Sequence, residues 1–260
     1  MFTKNWNCLL AVVFVVAIAL PVQATTITWD APQTITGNSD VSFEGTLVRA
    51  VGCASTATIT VGGNSVLFED TLTAESHSFV NSYSYTCDGT LSSSAGDSIS
   101  TSPLPPATGT DSWGVGRHPN TYGPVNGLSA AWKTILESGI ETDIRNLDHA
   151  TMTLGGLTPN HSYLLQLWVN DSRGSYGPRS EYFDGQTDKT IPYDTGNGVL
   201  NKYIIGRFTA TGSTQSFTIN GSPSFMVNAY QLRDVIPEPS TTVLLGMGLL
   251  GLLARRRLRA

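Results

Sequence analysis

With 260 residues, the chain has room for one large domain or two small ones. Only 13% of the residues are charged, while 26 glycines accompany abundant Ser, Thr and Asn, a balance typical of secreted all-β proteins and unusual for cytosolic enzymes. Five of the 15 Lys and Arg residues and one of the 20 Asp and Glu residues lie outside residues 25–235, so this body carries a net charge of −9 against −5 for the whole chain. An acidic body repels phosphate backbones, so we expect no nucleic-acid partner.

The first 24 residues have the layout of a secretory signal peptide. Lys4 gives a positive start, residues 9–20 form an unbroken apolar run, and the small residues Val22 and Ala24 stand at the −3 and −1 positions of a cleavage site. We therefore predict signal cleavage between Ala24 and Thr25. The alternative is an uncleaved anchor, which the shortness of the apolar run disfavours.

Export would remove Cys8 with the signal peptide and leave Cys53 and Cys87 in an oxidising compartment. The sequence therefore predicts one disulfide between Cys53 and Cys87, which would close a loop of about 35 residues and stabilise the fold by roughly 3–4 kcal/mol. The alternative is two separate thiols. The chain contains no C-x-x-C motif, so neither redox chemistry nor a zinc site is predicted.

Short segments with alternating apolar and polar residues dominate residues 25–235 and predict β-strands. The clearest are ATMTLGGL, SYLLQLWVN, NKYIIGRFTA, TQSFTIN and SFMVNAYQL, and weaker ones are TITWD, SFEGTLVRAV, TATITV and NSVLFED. In SYLLQLWVN, Tyr163 and Leu165 point to one face, while Leu164 and Trp168 point to the other. Because both faces are apolar, we expect a central strand that is covered on both sides.

The segment GLSAAWKTILESGI instead predicts a helix. Ser129 can cap its start, and Trp132, Ile135 and Leu136 fall on one face at helical spacing. Gly139 stands where a left-handed residue would end the helix. About three turns are not stable alone, so we expect this helix to pack on one face or one end of a β-sandwich.

Two long segments, residues 92–114 and 173–198, lack periodicity and predict surface loops, the second with a short strand near residues 189–193. About ten short strands separated by turn signals predict an all-β fold, a β-sandwich of the jelly-roll kind with one short helix. Neither half looks self-sufficient, so we expect one domain over residues 25–235.

No catalytic constellation stands out in the sequence. The four histidines, at positions 77, 118, 149 and 161, have no metal-binding spacing, and no G-x-S-x-G motif is present. A glycosidase would need two carboxylates that the fold brings together, drawn from Asp143, Asp148, Asp171, Glu181 and Asp184. We therefore predict no catalytic residue, no metal ligand and no cofactor, and a polysaccharide-active enzyme remains an alternative.

The best candidate for ligand binding is the loop after the central strand. Asn170, Asp171 and Arg173 follow that strand at once, and Tyr176 is close behind. Planar polar groups can bond pairs of sugar hydroxyls, and an aromatic ring can cover the C–H face of the sugar. We therefore predict a glycan-binding loop here. The alternative is that Asp171 and Arg173 pair with each other or with the turn backbone.

The last 25 residues, 236–260, hold three features in fixed order: Pro237, Glu238 and Pro239, then an apolar run, then four arginines. The run consists of Val243, Leu244, Leu245, Gly246, Met247, Gly248, Leu249, Leu250, Gly251, Leu252 and Leu253, and the basic cluster of Arg255, Arg256, Arg257 and Arg259. As a helix the run covers roughly 16 Å of a ~30 Å hydrocarbon core, which predicts a short transmembrane helix with its arginines in the cytoplasm. Its glycines spell G-x-G-x-x-G, but a dinucleotide loop needs a βαβ unit around it.

This tail resembles the PEP-CTERM sorting signal of exported proteins from Gram-negative, exopolysaccharide-producing bacteria. The resemblance implies that an exosortase, a membrane-embedded cysteine protease, recognises residues 237–239 and processes the chain. The body, through ITWDAPQTITGNSDVSFEGTLVRA, GLTPNHSYLLQLWVNDSR and YIIGRFTATGSTQSFTINGSPSFMVNAYQLR, is similar to an exported β-domain often found before such tails. Its last strand resembles that of galactose-binding-like jelly rolls, which is an analogy of fold and assigns no ligand.

The predicted signal peptide, β-domain and sorting tail together indicate the expected function. We expect an exported, non-catalytic protein that passes through the inner membrane and ends at the cell surface or in the extracellular matrix of a biofilm. Its expected partners are the exosortase, the membrane through the C-terminal helix, and exopolysaccharide. The alternatives are a carbohydrate-binding module that uses the loop at residues 170–176, and a polysaccharide-active enzyme.

Overall fold

The structure, a computed structural model, describes residues 26–74, 87–88, 90–100, 115–142, 149–173, 179–193, 202–222 and 224–235. These residues are mostly β-strand with one short helix. In chain order the elements are β1 (Thr28–Trp29), β2 (Gln33–Thr34), β3 (Thr46–Gly52), β4 (Ala57–Val61), β5 (Asn64–Phe68), β6 (Thr73–Ala74), β7 (Cys87–Asp88), β8 (Thr90–Ser92), β9 (Ser98–Ser100), β10 (Val115–His118), α1 (Ala130–Leu136), β11 (Gly139–Thr142), β12 (His149–Leu154), β13 (Ser162–Val169), β14 (Arg179–Phe183), β15 (Ile191–Tyr193), β16 (Lys202–Thr209), β17 (Gln215–Ser222), β18 (Met226–Val227) and β19 (Ala229–Val235).

The strands form two large antiparallel sheets, a small sheet and a hairpin. The central sheet has the order β1-β16-β13-β19-β3, with β2 also paired to β16. The outer sheet has the order β15-β14-β17-β12-β9-β8-β6. The small sheet has the order β18-β11-β10-β7, and β4 and β5 form the hairpin. Neighbours in the central sheet are far apart in sequence, so long-range pairing holds this sheet together.

The two large sheets pack face to face as a β-sandwich, as the sequence predicts. The buried core between them takes alternate residues from both sheets, such as Leu165 and Leu167 of β13 and Met152 of β12. Trp29 stacks on Phe183 across the sandwich with ring centroids 4.7 Å apart. The prediction of an all-β domain with one short helix is therefore confirmed for the described residues.

A third layer covers the other face of the central sheet. Helix α1 and the β4–β5 hairpin bury Trp168 of β13 from that side, so both faces of β13 are inside the protein. The Trp132 ring lies 5.5 Å from that of Trp168 and 6.1 Å from that of Phe68. The predicted central strand, the helix and its cap are confirmed, since Ser129 Oγ accepts a hydrogen bond from the Trp132 amide at 3.4 Å.

The predicted left-handed helix end at Gly139 is wrong. The helix ends at Leu136, and Glu137 caps it in the right-handed conformation. Gly139 begins β11 instead, where an added Cβ would stand 3.0 Å from the Val227 carbonyl oxygen and 3.1 Å from the ring of Tyr122. The glycine is therefore explained by close packing between the small sheet and its neighbours, and not by a turn.

The predicted disulfide between Cys53 and Cys87 is not formed in the structure. Cys53 is a free thiol with no exposed surface, and it packs in the core between the sheets as a small apolar side chain. Burial raises the pKa of the Cys53 thiol, and the nearby Asp70 carboxylate adds to this effect. Cys87 takes part in β7 through its backbone, and its side chain lies outside the described residues.

The predicted signal peptide, residues 1–24, and the sorting tail, residues 236–260, both lie outside the described residues. Within the part of the chain that the structure describes, no helix has the length and apolar character that a membrane span requires.

Candidate functional site

The loop after β13 carries most of the predicted binding residues, and the structure buries it. Asn170, Asp171 and Ser172 have no exposed surface. The Asn170 side chain donates to the Leu136 carbonyl at 3.1 Å, and its backbone amide donates to Oδ1 of Asn228 at 2.6 Å. Asn228 in turn donates to the Leu136 and Ser138 carbonyls. These amides satisfy the free carbonyls at the helix end and join the helix to the sheet.

Arg173 is the centre of a buried charge group that we name the Arg173 cluster, formed by Glu141, Asp171, Arg173 and Arg179. Arg173 Nε and Nη2 donate to the two oxygens of Asp171 at 2.9 and 2.7 Å. Its Nη1 and Nη2 donate to the two oxygens of Glu141 at 3.3 and 2.7 Å. One guanidinium therefore holds two carboxylates in fork geometry, the strongest form of ion pair.

A second guanidinium, an aromatic ring and an imidazole also surround these acids, and His118 Nε2 lies 3.6 Å from Glu141 Oε1. Arg179 Nη1 lies 3.6 Å from Glu141 Oε2 and from Asp171 Oδ2, and it donates to Ser224 Oγ at 3.0 Å. The Arg173 guanidinium carbon stands 4.6 Å from the centre of the Tyr122 ring, a cation–π contact. Burial raises the pKa of the Tyr122 hydroxyl, and the Glu141 carboxylate raises it further. The two carboxylates are thus balanced by two guanidinium groups.

Glu181 lies two residues after Arg179 on the same buried face of β14, and its environment favours the neutral acid. It has no exposed surface, and Oε2 accepts from the Met226 amide at 2.9 Å, while the buried Oε1 has no hydrogen-bond partner among the residues that the structure describes. Burial raises the pKa of Glu181 to about 8, which the Met226 hydrogen bond only partly opposes. Tyr193 and Arg179 lie nearby, and the Glu181 carboxylate adds to the effect of burial on the pKa of Tyr193.

The structure brings together only some of the residues that the sequence singled out. Asp171 and Arg173 pair with each other, which is the alternative stated above, and the Arg173 side chain keeps 13% exposure. Tyr176, Asp143 and Asp148 lie outside the described residues. Asp184 accepts from the Thr218 amide at 3.0 Å and from Trp29 Nε1 at 3.4 Å, so it joins two strands. Among the described residues, no group of His, Cys, Asp and Glu is placed to hold a metal ion.

Sequence reasoning missed Glu141 and Arg179, and it named Glu181 only among five carboxylates that a glycosidase could use. A signal for burial of Arg179 and Glu181 was present, because Arg179, Glu181 and Phe183 alternate along β14 and all three are buried. The period of two therefore places two charges on the same face as a core phenylalanine. Their partners on β11 and in the loop after β13 are distant in sequence, and only the fold shows them.

A second feature is the solvent side of the outer sheet. Nine hydroxyl residues occupy consecutive cross-strand positions there, and none of them is buried. One row, in register, consists of Thr218, Thr151, Ser100 and Thr90, and the next consists of Ser216, Thr153, Ser98, Ser92 and Thr73. We name these nine residues the hydroxyl face. Strands lie about 4.8 Å apart and rows about 6.7 Å apart, so the face presents a regular array of donors and acceptors.

The comparison with known proteins adds information about the tail. Residues 235–257 match the PEP-CTERM protein-sorting motif, which bears out the resemblance seen in residues 237–239, in the apolar run and in the arginines that follow. The motif indicates an exported protein that an exosortase, a membrane protein, sorts across the membrane to the surface or the exterior. Neither a curated protein nor a solved structure matches the chain, so the similarity of the body to jelly rolls stays a prediction.

We expect Arg173→Ala to destabilise the protein by about 3–5 kcal/mol, because it leaves two buried carboxylates without their main partner. Arg207→Ala is the matched control, since Arg207 is 44% exposed and pairs with Glu44 and Asp30 at the surface. That change should cost at most about 1 kcal/mol. Urea unfolding of the purified exported protein measures both. Equal losses in the two variants would contradict the assignment of the cluster as the buried anchor of this loop.

The pKa of Glu181 predicts how stability depends on pH. Its pKa rises from 4.5 in the unfolded chain to about 8 in the folded protein, so its contribution is fully present below pH 4.5 and is lost as pH rises through 8. Glu181→Gln should remove this dependence, which amounts to at most about 4 kcal/mol. The free energy of unfolding at pH 5 and pH 8 tests this, with the exposed Glu69→Gln as the control that keeps the dependence. An unchanged difference in Glu181→Gln would show that Glu181 is ionised in the folded state.

Proposed function

We propose that this chain is a non-catalytic protein of the cell surface or extracellular matrix, sorted by an exosortase and associated with exopolysaccharide in a biofilm. The observation that carries the proposal is the match of residues 235–257 to the PEP-CTERM sorting motif. The body, residues 25–235, would be a jelly-roll-like domain, an idea supported by the two packed antiparallel sheets.

The order of events follows from the two termini. The signal peptide, residues 1–24, starts export and is cleaved after Ala24. The apolar run, residues 243–253, then enters the inner membrane, and the arginines that follow keep the chain end in the cytoplasm. The exosortase recognises residues 237–239 and removes the tail, after which the body reaches the surface or the exterior.

The burial and pairing of three carboxylates in the body support a role without catalysis. Asp171 and Glu141 share Nη2 of Arg173, and both are buried, so these two candidates for acid–base work are occupied by ion pairs. Glu181 is fully buried beside them and accepts from a backbone amide. Such groups hold a loop in place, which suits a domain that acts through its surface.

Association with a polysaccharide is supported by the hydroxyl face. None of its nine residues carries a charge, and a hydroxyl has one donor and two acceptor positions, which complements a neutral polymer rich in hydroxyls. Thr153 and Ser216 bond each other and Thr73 donates to the Ser92 carbonyl, so these hydroxyls offer their remaining positions. Single contacts of this kind are weak, about 1 kcal/mol each, but a regular array facing a repeating polymer multiplies them. This face is a better candidate for glycan contact than Asn170 and Asp171, because those side chains point into the protein.

The sorting proposal is tested by replacing Pro237, Glu238 and Pro239 together with alanine. The unchanged protein should appear at the surface or outside the cell with a shortened C-terminus, whereas the variant should stay in the inner membrane with its arginines still attached. Fractionation followed by mass spectrometry of the C-terminus measures this. As the control, alanine at Ser213 and Thr214, which are exposed and lie outside the matched residues 235–257, should leave sorting normal. Normal sorting of the motif variant would contradict the proposal.

A further inference from the structure

Both ends of the folded body lie at the same end of the central sheet. Ser162, where β13 begins, pairs with Thr209 of β16 on one side and with Val235 of β19 on the other. Thr28 of β1 pairs with Arg207, so Thr26 lies beside Thr209. We name this end, marked by Thr26, Ser162, Thr209 and Val235, the terminal end. Three strand spacings separate Thr26 from Val235, which is about 14 Å.

The terminal end carries an open groove of about 820 Å³ that Thr26 and Val235 both line. Its hydroxyl groups come from Thr28, Ser162 and Thr209, and its charged groups from Glu44 and Arg207. The two processed segments of the chain therefore leave the body from a single surface.

Chain length limits how far this surface can be from the bilayer. Eight residue steps lead from Val235 to Val243, where the apolar run begins, and fully extended they span at most about 28 Å. On the other side, six residue steps lead from Thr26 back to Leu20, the end of the apolar run of the signal peptide, or about 20 Å.

The opposite end of the body is much farther from these tethers. Seven residue steps along β13 separate Ser162 from Val169, about 23 Å, and the loop that holds Ser172 follows at that end. Ser172 donates to the Tyr122 and Pro124 carbonyls, so the loop that holds the exposed Asn126 lies at this far end. The tail therefore brings one end of the domain to the membrane and keeps the other away.

The charges at the terminal end indicate how this surface would contact the lipid bilayer. Arg207 pairs with Glu44 at 2.6 Å and with Asp30 at 3.3 Å, and His161 pairs with Asp234 at 2.6 Å. The three carboxylates of these pairs outnumber the one permanently charged cation, Arg207, so the surface does not attract anionic lipid. The contact is imposed by the tethers and suits the neutral, hydrogen-bonding headgroups of phosphatidylcholine.

We propose that the terminal end is the membrane-facing surface of the body from export until the tail is removed, and that its partner is the headgroup layer of the bilayer. This inference rests on the proposed function, because it requires residues 243–253 to be in the membrane. It adds an orientation: both processing sites face the bilayer, while the Asn126 loop points away from it.

The test uses the full chain in phosphatidylcholine vesicles that contain a lipid with a quencher on its headgroup. A fluorophore is attached to Thr209→Cys at the terminal end or to Asn126→Cys at the far end, both exposed positions. We expect several-fold stronger quenching at position 209. Thr28→Cys, exposed on the same end, repeats the measurement if Thr209→Cys does not fold. The unsubstituted protein gives the background from its own cysteines.

The outcomes separate the inference from the proposed function. Binding to vesicles with equal quenching at positions 209 and 126 overturns the orientation alone. Failure of the full chain to bind vesicles overturns both. A chain of residues 25–235, which lacks both apolar runs, should lose quenching at both positions, and persistent quenching there would show that the tethers do not impose the contact. Quenching that rises when anionic lipid replaces phosphatidylcholine would assign the contact to electrostatic attraction and overturn the tether account.

Discussion

Strand β13 is buried on both faces, and the rest of the structure follows from the need to cover it. Its odd-numbered side chains pack against the outer sheet, and Trp168 on its other face packs against α1 and the β4–β5 hairpin. A single sheet cannot bury such a strand, so the chain builds three layers in place of two. A helix of seven residues is not stable alone. Here it is stabilised because Trp132 packs it against this strand.

The same constraint explains the buried charges. Because β13 runs through the middle of the protein, the residues that follow it leave the strand inside the fold and not at the surface. Asp171 is therefore desolvated, and it can remain charged only with a partner, which Arg173 supplies in fork geometry. Glu141 and Arg179 extend this pairing between the small sheet and the outer sheet. The ion pairs of the cluster thus connect three sheets at the place where they meet.

Local patterns predicted much of this fold. The period of two in residues 162–169 gave the doubly covered strand, and the spacing of Trp132, Ile135 and Leu136 gave the buried face of the helix. What failed depended on neighbours that are distant in sequence. Gly139 looks like a helix end until Val227 and Tyr122 are beside it. Cys53 looks like half of a disulfide until its position in the core is known. The Arg173 cluster joins β11, β14 and the loop after β13, a combination that no single stretch of sequence contains.

These observations describe a domain that acts through its outer surface. The interior is filled with paired charges and apolar side chains, and the hydroxyl face offers a flat neutral array instead of a pocket. Binding to an insoluble neutral polysaccharide, measured by co-sedimentation, tests this account most directly. The double variant Thr151→Val and Thr153→Val keeps strand propensity and should lower the affinity about tenfold, because two hydrogen-bonding groups are lost. The same change at Thr58 and Thr60, exposed on the hairpin, should leave the affinity unchanged. Equal binding by both variants and the unsubstituted protein would contradict the account.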